Sequence, residues 1–106
     1  MIRTLAMALI ALTLASAADA GPIEKACLNS GRDAADRRMC VCIQGVADQM
    51  LDGSDQRRAA KFFSNPELAA KTMLSDTARD DAFWARWERF GETATIYCSP
   101  QPPVSD

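Results

Sequence analysis

The sequence predicts an all-α fold, a small bundle of four to five helices stapled by two disulfides. Three observations predict it. Apolar residues recur at steps of three and four through two long stretches, as on amphipathic helices, and no stretch alternates as a strand does. Capping residues recur in pairs three apart ahead of the apolar runs. Four cysteines lie beyond a leader of secretory pattern, and an even cysteine count in a short exported chain reads as a disulfide framework.

The leader is expected to be a signal peptide over residues 1–20. Arg3 gives it a positive start, an apolar run follows from Leu5 to Ala15, and Ala18-Asp19-Ala20 supplies an A-x-A cleavage pattern before Gly21. The apolar run is shorter than the roughly 18 to 20 residues that a membrane span needs. Nothing after Gly21 is apolar enough to span a bilayer, so a periplasmic or secreted location is expected. Residues 21–98 form the predicted helical domain. Residues 99–106 form a flexible tail, because Pro100, Pro102 and Pro103 bar a helix.

The chain has 106 residues, a net charge of −2 and no histidine. Losing the leader removes one basic and one acidic group, Arg3 and Asp19, and leaves that charge unchanged. The balance gives no electrostatic reason to expect nucleic acid or an acidic membrane as partner. Without histidine, Ser-His-Asp and Cys-His sites are ruled out. No glycine loop for phosphate is present. A domain this small buries only about 60 to 65% of its unfolded surface, so covalent staples matter.

The elements follow in order. Pro22 suits the first turn of a short helix over Ile23 to Asn29. Ser30 and Asp33 have capping-box spacing for a second helix from about Asp33 to Leu51, whose apolar stripe is Met39, Ile43, Val46 and Met50. Asp52-Gly53-Ser54 ends it. A third helix covers Asp55 to Phe63. Ser64 and Glu67, with Pro66 between them, start a fourth that runs to about Leu74. Thr77 and Asp80 cap a fifth, from about Arg79 to Tyr97, with the stripe Phe83, Trp87, Phe90, Ala94 and Tyr97. Gly91 inside it costs up to about 1 kcal/mol relative to alanine, and a close approach by another helix would explain it.

Cys40 and Cys42 carry the sharpest question. At about 100° per residue their side chains point roughly 160 to 200° apart on a helix, so they cannot bond to each other. Each reaches a different neighbour, Cys27 on the first helix or Cys98 at the end of the fifth. The pairings Cys27–Cys40 with Cys42–Cys98, and Cys27–Cys42 with Cys40–Cys98, both satisfy this. The short connection between the first two helices favours the former. Structural zinc brings its thiolates as two close pairs, whereas here one pair is tight and two cysteines are solitary. Copper(I) would take Cys40, Cys42 and a methionine, but Met39 and Met50 are explained by packing. A redox pair needs its resolving thiol alongside. No metal site and no cofactor are expected.

The remaining binding candidates are Trp84, Arg86 and Phe62. Phe83-Trp84-Ala85-Arg86-Trp87 suggests an aromatic platform with Arg86 as an anion partner, against core and seam packing as the plainer explanation. Adjacent Phe62 and Phe63 cannot face the same way, so one of them is partly exposed. Arg37-Arg38 and Arg57-Arg58-Lys61 alternate with aspartates and read as a solvated face. Asp80-Asp81 resembles an acid–base pair, but negative charge belongs in the first turn of a helix anyway.

The strings MCVCIQGVADQML, DQRRAAKFF and AFWARWERFGETATIYC, spread from Met39 to Cys98, resemble small exported helical proteins of alphaproteobacteria without an established function, some of which are labelled "arginine transporter". The resemblance implies an exported helical domain. A chain of this size forms no transport pathway, so transport implies at most an accessory role. Cys42-Ile43-Gln44-Gly45-Val46-Ala47-Asp48 is also similar to a helix of secreted immunity proteins with two disulfides, although this chain lacks the middle cysteine often found there.

The expected function is therefore a non-enzymatic periplasmic or secreted domain that binds a protein or another envelope component, with its oligomeric state left open. The alternatives are a copper- or thiol-handling protein built on Cys40 and Cys42, and a periplasmic accessory of an amino-acid transporter.

Overall fold

The computed structural model describes residues 20–31 and 36–99. The expected leader up to residue 19, the Asp33 cap and the tail from residue 100 lie outside the described residues. Five helices and, among the described residues, no strand make up the fold: α1 (Pro22–Leu28), α2 (Arg37–Met50), α3 (Gly53–Ser64), α4 (Pro66–Leu74) and α5 (Ala78–Cys98).

Side-chain caps explain where most of these helices begin. Asp36 accepts from the Met39 N–H at 2.7 Å, Asp52 from Asp55 at 2.7 Å, Asn65 from Leu68 at 3.3 Å and Thr77 from Asp80 at 3.2 Å. Three expected starts are thereby corrected. α3 opens on Asp52, with Gly53 and Ser54 already helical, rather than at Asp55. α2 opens on Asp36, and α4 on Asn65 with Pro66 at its first position, because Ser64 is still the last residue of α3. α1 has no cap of its own. The Gln44 side chain of α2 supplies one, accepting from the Glu24 N–H at 2.9 Å. Past α1, Gly31 takes φ +70°, a left-handed conformation that suits glycine.

α1 lies against α2 and α3, while α5 runs along α2 and α4, and α4 also packs on α3. The buried core is Ile23, Ala47, Leu51, Ala59, Phe62, Phe83 and Phe90. The buried face of α2 is Cys40, Gln44 and Ala47 rather than the expected Met39–Met50 stripe. Partners on two sides cause the shift. α1 and α5 reach α2 from opposite shoulders, and the stripe lies half-buried between them, with Ile43 and Val46 against the core. Tyr97 is likewise not core but 74% exposed, because the last turn of α5 is held through Cys98, about 100° away around the helix. No neighbour lies where a Gly91 side chain would begin, so the expected helix approach is absent.

Both disulfides follow the favoured pairing. Cys27–Cys40 joins α1 to α2 and Cys42–Cys98 joins α2 to α5, with Cα–Cα distances of 5.5 and 5.7 Å. Separations of 13 and 56 residues correspond, in the chain-entropy model, to about 3 and 4 kcal/mol. Helix α2 is thus clamped on both shoulders.

Gln44 and Gln56 bury polar groups where α1, α2 and α3 meet. Gln44 Nε2 donates to Gln56 Oε1 and to Asp48 Oδ1, each at 2.8 Å. Gln56 Nε2 donates to the Leu51 carbonyl at 3.1 Å and to Asp48 Oδ1 at 3.2 Å. Full pairing makes the burial tolerable, since an orphaned amide inside would cost about 1 to 3 kcal/mol.

Candidate functional site

The aromatic residues of α3 and α5 form one cluster. Phe62 sits at its centre, edge-on to Phe83 at 5.8 Å and to Trp87 at 5.3 Å between ring centroids. Phe62 is only 5% exposed, so it is the buried member of the Phe62-Phe63 pair, and the little surface it keeps lines the groove described below. The partly exposed member is Phe63, whose ring stands edge-on to Trp87 at 6.4 Å.

Trp84 and Arg86 are not brought together. Two residues apart on a helix, they point about 200° from each other. Trp84 is half-buried beside Phe62, and its indole N–H donates to Glu88 Oε1 at 2.6 Å. Arg86 is held by Asp55 of α3, with its Nε donating to Oδ2 at 2.6 Å and its Nη2 to Oδ1 at 3.1 Å. The hydrogen bonds it donates to Asp55 raise the Arg86 pKa further above its ordinary value. A guanidinium spent on an internal carboxylate leaves the expected platform without its anion partner.

A groove does form nearby. Phe62 and Phe63 from the end of α3, Pro66 and Ala69 from α4, and Trp87 from α5 enclose about 320 Å³. The Asn65-Pro66 turn places it: α3 must stop there, and α4 starts at once, laying Ala69 beside the two phenylalanines. The small Ala69 side chain keeps the groove open. None of its lining residues is charged, so the groove suits an uncharged apolar group. The sequence signal for it was an aromatic pair directly ahead of an Asn-Pro stop, with a tryptophan on the core stripe.

The other side of α4 carries a larger cleft of about 580 Å³, lined among others by Arg58, Leu68, Lys71, Leu74, Ser75 and Asp80. Its best-placed cation is already engaged. Arg58 forms a salt bridge with Asp80, and its guanidinium lies 4.3 Å from the centroid of the Phe83 ring. Arg58 thus ties α3 to α5 rather than belonging to a solvated face. The Ser75 hydroxyl, and after it the Arg58 guanidinium, hold the Asp80 carboxyl below the usual carboxylate range. Met73 and Leu74 at the end of α4 are 51% and 79% exposed.

All four cysteines are paired, so no thiolate is presented. Among the described residues, no group of three or more His, Cys, Asp or Glu side chains could hold a metal ion. No helix among them is long and apolar enough to cross a membrane. Two disulfides and that helix inventory are compatible with an oxidising, extracytoplasmic location. Comparison with protein families, with curated proteins and with solved structures found no match.

Proposed function

We propose that the chain is a non-enzymatic, exported binding domain that docks a protein partner of the cell envelope through the groove between Phe63, Ala69 and Trp87. The observation that carries this reading is an uncharged aromatic groove at the junction of three helices. Trp87 is braced by the buried Phe62 and Phe90, and Phe63 stands edge-on against Trp87. Aromatic walls braced in this way lose little entropy on binding, the property that enriches such residues at interfaces.

An accessory role in solute transport is a special case, with a transporter as the partner. The copper- or thiol-handling alternative requires opening the disulfides of Cys40 and Cys42, since a copper(I) ligand must be a free thiolate.

A photo-crosslinking residue at Phe63, Ala69 or, as a distant control, Lys25 tests the proposal in the exported protein. Adducts to the same envelope protein from positions 63 and 69 but not 25 are expected. Equal labelling from all three positions, or none from the groove, would contradict it.

A further inference from the structure

We infer that the groove takes a polyproline II segment, and that its occupant is the segment Pro100–Val104 of a second copy of this chain. This rests on the reading of the groove as the docking site, and makes a second copy of this exported chain the protein partner that docks there.

The groove's chemistry selects the class of segment. Phe63, Pro66 and Trp87 present apolar and aromatic walls with no charge to pair. Aromatic grooves of this kind recognise proline-rich segments, whose fixed φ angles leave little entropy to lose on binding. The chain carries such a segment in Pro100-Gln101-Pro102-Pro103-Val104, uncharged like the groove.

Length decides between its own tail and a copy's. Trp87 lies twelve residues before Ser99 on α5, about 18 Å along the axis at 1.5 Å per residue. Its side chain leans still further from Ser99, toward the N-terminus of the helix. Pro102 and Pro103 follow Ser99 by three and four residues, so polyproline II geometry carries them only about 9 to 12 Å from it. Even without a turn, a chain's own prolines fall short of its groove. A second copy has no such limit. Two chains related by a two-fold axis can exchange segments reciprocally, each filling the other's groove.

The test uses two readouts. The peptide Ser99–Asp106 is titrated into the chain lacking residues 100–106, in a Trp84→Phe background that leaves Trp87 as the sole indole. A saturable change in Trp87 emission is expected. It should be abolished when the three prolines of the peptide are alanine, and weakened at least about tenfold by Ala69→Leu, which fills the groove without adding an indole. In parallel, light scattering should find the intact chain dimerising with concentration and the truncated chain monomeric. No saturable response up to about 1 mM peptide, or dimerisation unchanged by truncation, overturns the inference. Peptide binding by a chain that stays monomeric overturns the second copy as occupant. Should crosslinks from Phe63 and Ala69 capture an envelope protein while the peptide leaves Trp87 unmoved, the docking reading stands and this inference falls.

Discussion

Gln44 of α2 caps α1 from outside that helix, its side-chain oxygen 2.9 Å from the Glu24 backbone nitrogen. The same amide donates to Gln56 and Asp48, so one buried side chain ties three helices together. Replacing Gln44 by alanine orphans the Glu24 N–H and the Gln56 oxygen and opens a void. A loss of about 2 to 4 kcal/mol is expected in urea unfolding. Gly21→Ala should cost about 1 to 3 kcal/mol by overpacking, since its new carbon would meet the Gln44 side chain at 2.3 to 2.6 Å. In the Gln44→Ala background that second penalty should largely vanish, a coupling that a double-mutant cycle reads directly.

Arg86 and Asp55 form the second cross-link of this kind. Asp55 is nearly buried, with a side chain 12% exposed, whereas that of Arg86 is 39% exposed. Arg86→Ala therefore strands a carboxylate and should cost about 1 to 3 kcal/mol, discounted from a fully buried pair for solvent access. The double variant Asp55→Ala/Arg86→Ala should cost less than the two single changes summed. Additive single effects in denaturant unfolding would show that the two side chains do not act as a pair.

Acid stability should depend on Asp80. Its folded pKa lies below the ordinary 3.8, through Ser75 and then Arg58. The unfolded chain therefore binds the proton first as pH falls. The contribution of Asp80 is fully present above about pH 4 and is lost as pH drops through its lower folded value. Asp80→Asn should flatten the fall of the thermal midpoint between about pH 4 and pH 2. An unchanged acid limb would remove Asp80 from the account.

Gly91 sits in the middle of α5 with open space where a side chain would start. Gly91→Ala should stabilise the domain by up to about 1 kcal/mol, through helix propensity and a less flexible unfolded chain. A rise in the thermal midpoint checks this, and a fall would mean that something packs there after all.

Much of the fold was legible because helix periodicity and caps are local. Thr77 caps α5 as its spacing with Asp80 implied, and the divergence of Cys40 and Cys42 anticipated two separate staples. The failures were tertiary. Gln44 reads as a surface residue until three helices converge on it, and its burial moved the core face of α2 away from Met39 and Met50. Arg58 and Arg86 looked solvated or available because nothing local reveals aspartates 22 and 31 residues away. At the groove, the sequence found the right aromatic neighbourhood: Phe62 lines it and Trp84 does not, while helix placement adds Phe63 and Trp87 as walls.

The central claim is that the cysteines frame a binding scaffold and perform no chemistry themselves. Intact-mass and disulfide mapping of the protein isolated from its cells without reductant tests it most directly. Two disulfides should lower the mass by about 4 Da relative to the fully reduced chain. Digestion should release Cys27 linked to Cys40 and Cys42 linked to Cys98. Free thiols at Cys40 and Cys42, or a metal retained on them, would contradict the account.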